Sequence, residues 1–311
     1  MAFKIHSWQI IYILIVFILS KNVYAIDESV FNVMDSGTTA TAEIDNSNYC
    51  VSIMSSFRLL VLLGNQLTIG LAQARYWFRQ ESTWSVQWCL KDSWITFRHL
   101  NNFTIAGGGT FYGQGQVTRT QNGCLNNLNC ILPTSLGFDF LKDSTIQGIK
   151  SIDSKKIHIN IFSCNNLKLK PIKISAPGDS PNTNGIHIGS SNRIMIYHSM
   201  ISTGDDCLSL SPGSENILVS DVFWGPGHGI SVGSLGRTPN EKGITGLTVR
   251  NCTFTGTENG VRIKTWPDSN EGTASNFTFE DLVMNNVAFY FLFKEQVWVF
   301  VCSKKFQFNS I

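Results

Sequence analysis

Three short segments of like pattern, Ile186-His187-Ile188, Leu208-Ser209-Leu210 and Ile230-Ser231-Val232, follow one another at intervals of 22 residues. Apolar-polar-apolar alternation of β-branched and aliphatic residues describes a strand with one buried face. Ile157-His158-Ile159, Leu167-Lys168-Leu169 and Ile172-Lys173-Ile174 read the same way, while Ile194-Met195-Ile196 and Ile217-Leu218-Val219 are apolar throughout and start 23 residues apart. The interval then lengthens, to 30 for Ile217 to Leu247 and for Leu247 to Phe277, and to 31 for Ile230 to Val261. Periods of this length belong to solenoids, because one coil cannot bury its own apolar face and must stack on its neighbours. The expected fold is all-β, a single-stranded right-handed parallel β-helix. A sandwich or barrel of hairpins would need two-residue turns between strands and would not hold a 22-residue phase.

The expected organisation has four parts: a signal peptide over 1–25, an N-terminal segment over 26–93, a β-helix over 94–287, and an atypical tail over 288–311 in which the solenoid stops short. Lys4, the apolar run from Ile10 to Leu19 and the small-x-small step at Val23-Tyr24-Ala25 make the leader. A membrane anchor would need about 20 apolar residues. Export agrees with eight cysteines, which pair in oxidising compartments, and with acceptor sequons at Asn102, Asn251 and Asn276. The product is expected to be secreted, extracellular or in a cell wall, free of the membrane once the leader is removed. A net charge of +2 with 15% charged residues leaves no basic block for nucleic acid, so an anionic partner must be met locally.

The period also arranges the polar residues. Asn184, Asp206 and His228 each stand two positions before an inward aliphatic of the 22-residue series. Stacked strands lie about 4.8 Å apart, so the three form a column. Asp205 beside Asp206 supplies a pair of carboxylates, each of which disfavours the other's charge; such a pair can divide acid and base roles. Arg262 and Lys264 flank Ile263 on the opposite side of the chain and could hold a sugar carboxylate, the first bidentately. The run Gly107-Gly108-Gly109-Thr110-Phe111-Tyr112-Gly113-Gln114-Gly115 superficially suggests a phosphate loop, but with no helix expected after it the run reads as a backbone turn. No metal ligand set and no cofactor are expected.

These blocks, SPNTNGIHI (Ser180 to Ile188), STGDDC (Ser202 to Cys207), GPGHGISVGSLG (Gly225 to Gly236) and RIKTW (Arg262 to Trp266), resemble in wording, order and separation the signatures of the polygalacturonase family of glycoside hydrolases, with the later blocks most similar to plant pollen-type exopolygalacturonases. The resemblance runs from about residue 94 to about 287. It implies single-displacement hydrolysis of α-1,4-galacturonosidic bonds in pectin with inversion, by a monomer. Asp205 is then the acid, Asp206 helps to activate water, His228 tunes the acid, and Arg262 and Lys264 bind the galacturonate carboxylate.

Three departures matter. The family has an aspartate where this chain has Asn184, and general-base help is worth about 10²- to 10⁴-fold in rate. The family also pairs the cysteine of its Asp-Asp-Cys block with one before the Gly-His-Gly block, where this chain has Trp224; such a clip is typically worth about 2–5 kcal/mol in small secreted domains. Tyr112 stands where aspartate is common in the glycine-rich turn. The alternative to an active hydrolase is a protein that binds oligogalacturonides without turnover. A calcium-dependent lyase on a similar solenoid would want about six oxygen ligands, water included, and only Asp205 and Asp206 lie together.

Overall fold

The structure, a computed structural model, describes residues 93–121 and 132–294, together with the strands at 51–54, 62–63, 66–71, 75–77, 298–300 and 304–305. The leader at 1–25 and Cys50, Cys89, Cys124, Cys130 and Cys302 lie outside the described residues.

One parallel sheet of nine strands runs the length of the molecule. Its strands are Val51–Met54, Ser93–Arg98, Thr134–Asp139, Ile159–Phe162, Ile186–Gly189, Leu208–Leu210, Ile230–Leu235, Asn259–Thr265 and Phe289–Lys294, in that order. The remaining strands make the other walls, for example Asn165–Leu169, Asn192–Tyr197, Glu215–Ser220 and Ile244–Thr255 stacked one on the next. Among the described residues every strand pairing is parallel except that of Leu62–Leu63 with Gln66–Leu71. The chain is therefore a parallel β-solenoid in which each coil satisfies its backbone bonds on the coils beside it.

The 22-residue interval is the observed register: Ile186 lies opposite Leu208, Leu208 opposite Ile230, and Ile230 opposite Val261. Leu136, Ile159, Ile186, Leu208 and Ile230 have no exposed surface. Complete burial of such side chains stabilises by about 1.5–3 kcal/mol each, so the column is the spine of the core. One triplet is misplaced by the sequence pattern. In Ile157-His158-Ile159 the strand begins at Ile159, and His158 points inward, fully buried, with Nδ1 2.9 Å from Ser151 Oγ. Burial pushes its imidazole down to about 3, so it stays neutral.

The pattern also loses the repeat after Val287, whereas the backbone does not. Phe289–Lys294 continues the nine-stranded sheet with Val261 opposite Phe291, and Trp298–Phe300 pairs with Thr273–Ser275. Aromatic residues here replace the aliphatic alternation that marks the earlier coils; Phe291 meets Phe279 edge to face, ring centroids 5.4 Å apart. At the other end, the glycine-rich run is followed by a helix, α1, at Gly115–Gln121, which the sequence pattern does not reveal. Its first turn is already capped: the Gln116 N–H donates to both carboxylate oxygens of Asp153, at 3.0 and 3.1 Å. The run is therefore not one turn: within it Thr110–Tyr112 is a strand paired with Lys150, Ser151 and Ile152, and its last glycine opens the helix.

Cys164, Cys207 and Cys252 are buried free thiols, contrary to the pairing expected of an exported chain. Burial pushes Cys207 up to about 11, which keeps it an inert apolar group. Trp224, at the place of the missing partner, is buried and stacks on Phe254 with centroids 5.9 Å apart. Asn102, Asn251 and Asn276 are exposed with positive φ, Asn251 within the strand Ile244–Thr255 and the other two beside strands of the second sheet, away from the nine-stranded one. Among the described residues, no helix is long and apolar enough to cross a membrane.

Candidate active site

The nine-stranded sheet carries the polar column on its outer face. Between the inward aliphatics, register sets Asn160, His187, Ser209, Ser231 and Arg262 opposite one another on successive coils. Asn184, Asp206 and His228 sit just before the same strands. All six residues singled out from sequence therefore lie on neighbouring coils of one sheet; five of them form two adjoining clusters, and Asn184 joins a separate chain of hydrogen bonds.

In the first cluster Asp206 is almost wholly buried and its carboxylate is fully engaged. Arg262 Nη2 reaches Oδ1 at 2.5 Å, Ser231 Oγ donates to the same oxygen at 2.6 Å, and Lys264 Nζ donates to Oδ2 at 2.9 Å. Arg262 Nε also donates to Ser231 Oγ at 2.7 Å, which aims that hydroxyl. Burial alone would raise Asp206, but Lys264, Arg262 and Ser231 outweigh it and hold the carboxyl below the usual aspartate range. Arg262 and Lys264, expected to hold a substrate carboxylate, are each ion-paired with Asp206.

In the second cluster Asp205 Oδ1 lies 3.0 Å from His228 Nδ1 and accepts the Asp206 N–H at 2.8 Å. The far nitrogen of the imidazole, Nε2, is 3.3 Å from Glu258 Oε2. The Asp205 hydrogen bond raises the imidazole; burial opposes it, and the nearby Arg262 and Glu258 pull in opposite directions. Arg262 Nη2 comes within 3.2 Å of Nδ1. His228 can stand there because its flanking glycines adopt positive φ: at Gly229, φ +73, a Cβ would lie 2.0 Å from Asn259 O. The imidazole borders a cleft of about 440 Å³ lined also by Gly178, Pro226, Thr257 and Glu258.

Asn184 is joined to a separate chain of hydrogen bonds. Its Nδ2 donates to Ser209 Oγ at 3.1 Å, Ser209 Oγ is 2.7 Å from His187 Nδ1, and His187 Nε2 is 3.1 Å from Ser211 Oγ. Burial lowers His187, against a smaller raising effect of Asp206, so the ring is neutral. Sequence reading passed over Ser209, Ser231, His187 and Glu258. The first three are the polar middles of the very triplets that define the repeat, and that was the available signal; Glu258 comes from another coil and has none.

Ligand atoms of Asp205, Asp206 and His228 lie within 4.8 Å of one another. Both Asp206 oxygens already accept from cationic side chains, so a divalent ion would have to displace Lys264 and Arg262. The donor set suits an internal ion pair better than the oxygen-rich cage calcium requires.

The fold and this constellation define a parallel β-solenoid with two adjacent, differently held carboxylates on its long sheet. Residues 69–304 match the family described as Glycosyl hydrolases family 28, and the chain belongs to that family. It is 49% identical over 197 residues to an exopolygalacturonase of Platanus acerifolia, covering 63% of this chain and 52% of that one. To a polygalacturonase of Gossypium hirsutum it is 47% identical over 205 residues, covering 66% and 50%. The chain spans about half the length of the curated relatives it matches. Among solved structures, a polygalacturonase from Erwinia carotovora ssp. carotovora is similar at 28% identity with a TM-score of 0.56, over 63% of this chain and 55% of that chain. An exopolygalacturonase from Thermotoga maritima, at 19% identity and a TM-score of 0.53 over 67% and 59%, shares the fold.

Proposed function

We propose that the protein hydrolyses α-1,4-galacturonosidic bonds of polygalacturonate, outside the cell or in the cell wall, without a metal or organic cofactor. The observation that carries the reading is the Asp205–His228 contact at the mouth of a cleft, next to an Asp206 fixed as an anion by Arg262 and Lys264. Two carboxylates in unlike environments are what acid-assisted glycoside cleavage asks for. Asp205, partly exposed, gives a proton to the leaving oxygen. Asp206 stays ionised, faces the positive charge that grows on the sugar, and accepts the proton of the attacking water. His228 positions the acid and shares its proton. A substrate carboxylate reaches Arg262 and Lys264 through the donors that Asp206 leaves free.

Stereochemistry follows less simply. An inverting pair usually stands about 6.5–9.5 Å apart to leave room for water, and oxygens of Asp205 and Asp206 lie within 4.8 Å. Inversion therefore needs the water to enter beside the pair, on the Asn184 side, rather than straight between the two carboxyls. Retention would need Asp206 as nucleophile, and an oxygen tied to Arg262 or Lys264 is a poor one.

Asn184 favours a second reading, a galacturonan-binding protein with little turnover, because an amide orients water but takes no proton. The same experiment tests both. Reducing ends released from polygalacturonate are measured across mildly acidic to neutral pH for the folded secreted chain and for Asn184→Asp, with the first-formed anomer read by proton NMR. Release by the unsubstituted chain supports the hydrolase. Binding without release, recovered about 10²- to 10⁴-fold in Asn184→Asp, supports the second reading. Neither binding nor release from folded protein would remove both.

A further inference from the structure

Arg262 and Lys264 spend much of their charge on Asp206, so a chain of sugar acids lying across this sheet needs another cation. The strand that carries them provides a place for one. Along Asn259–Thr265, Val261 and Ile263 turn inward and Arg262 and Lys264 outward. Trp266 is the next outward position, about 7 Å beyond Lys264 at strand rise. Its N–H donates to Leu235 O at 3.0 Å, so it keeps the register of the sheet. The indole is nevertheless 42% exposed. The Arg237 guanidinium lies over it, 5.2 Å from the ring centroid.

Arg237 is held in place by its backbone. Leu235 is buried in the adjoining strand, the Gly236 N–H donates to Glu241 Oε2 at 2.6 Å, and Gly236 O accepts the Asn270 N–H at 2.9 Å. The acid of this loop, Glu241, is thereby committed to a backbone amide. Asp268 and Glu271, on the loop after Trp266, make no ion pair with Arg237, and among the described residues no other carboxylate does.

We infer that Arg237 and Trp266 form a second sugar-acid subsite, at the end of the strand that carries Arg262 and Lys264, for a galacturonate unit neighbouring the one at Asp205. The indole offers a flat face to the C–H side of a pyranose ring, and the guanidinium offers two parallel donors to its carboxylate. This rests on the galacturonan reading proposed above.

Calorimetric titration of the full chain with trigalacturonate, acid and methyl-esterified, tests it. Arg237→Gln weakens the acid oligomer about tenfold, the worth of one hydrogen-bonded charge, and leaves the methyl ester unchanged. Trp266→Ala weakens both, and Trp266→Phe, which keeps a ring, restores most of the loss. Unfolding midpoints stay at the unsubstituted value, since both side chains are at the surface. Unchanged affinity in folded Arg237→Gln and Trp266→Ala, with Arg262→Met still weakening binding, overturns this inference and leaves the galacturonan reading standing. No binding by the unsubstituted folded chain overturns both.

Discussion

Asp205 and Asp206 are neighbours in sequence and opposites in setting. Asp206 lies beneath Ser231, Arg262 and Lys264 with its side chain 3% exposed; Asp205, 24% exposed, has His228 as its one side-chain partner in the described site. The difference comes from which coil supplies the neighbours. Ser231 and Arg262 lie on successive coils at the same outward register, so their donors converge on a carboxylate one coil below. His228 precedes its strand on a glycine-flanked turn, so the group set beside Asp205 is a titratable imidazole. Two identical side chains thus stand in unlike settings, one tied to two cations and one beside an imidazole, with no difference in intrinsic chemistry.

The largest effect should come from removing the donor. Asp205→Asn keeps the hydrogen bond to His228 and carries no transferable proton, so kcat for polygalacturonate should fall about 10²- to 10⁴-fold. KM should barely move, because Asp206, Arg262 and Lys264 are untouched. Initial rates of reducing-sugar release give both numbers. A rise in KM alone, with kcat unchanged, would mean that Asp205 binds substrate and does not protonate it.

Breaking the other half should cost stability as well. Arg262→Met leaves Asp206 with Lys264 and Ser231, and the loss should be about 2 kcal/mol, less than the roughly 3–5 kcal/mol of a buried pair broken outright. Urea denaturation measures it. The sign with pH is fixed: a depressed aspartate stabilises above its unfolded value near 3.8 and loses that contribution as pH falls through the folded value. Without Arg262 the folded value rises, so acid unfolding should begin at higher pH than in the unsubstituted protein. Adding Asp206→Asn should abolish that acid-side shift, because the carboxyl whose titration causes it is gone.

The comparison also shows what a linear reading can reach. Interval and alternation locate the coils, since Ile186, Leu208 and Ile230 are bound to stack once their spacing matches the coil length. The column of Asn184, Asp206 and His228 follows from the same arithmetic. Who bonds to whom does not follow. That Arg262 turns to Asp206 depends on side-chain reach across two coils, and that Asn184 joins Ser209 and His187 depends on a hydroxyl between them. The direction of that chain is itself reversible: Ser209 can accept from Asn184 and donate to His187, or accept from His187 and donate to an aspartate at 184. Asn184→Asp is therefore accommodated by a change of tautomer at His187, without leaving a buried group unpaired. Aromatic coils escape the reading for a different cause, since Phe289 to Phe293 lack the polar middles by which the earlier strands are recognised.

Glu258 gives the smallest effect and the finest test of how the two halves differ. The imidazole of His228 faces Asp205 at 3.0 Å, Asp206 at 3.8 Å, the Arg262 guanidinium at 3.2 Å and, on its far side, Glu258 at 3.3 Å. Arg262 favours the neutral ring and the three carboxylates favour the charged one, so the proton shared with Asp205 is poised between opposing fields. Glu258→Gln removes one raising influence and keeps the shape. His228 should then titrate at lower pH, read by nitrogen-15 chemical shifts of its ring, and the basic limb of kcat/KM should move down in the same direction, because the Asp205–His228 pair releases its proton sooner. The linked stability runs with it: the raised imidazole stabilises below its unfolded value near 6.5, and that contribution is lost as pH rises through the folded value. In Glu258→Gln the loss should begin at lower pH. A moved ring titration with an unmoved activity limb would separate His228 from proton delivery and leave Asp205 to act alone.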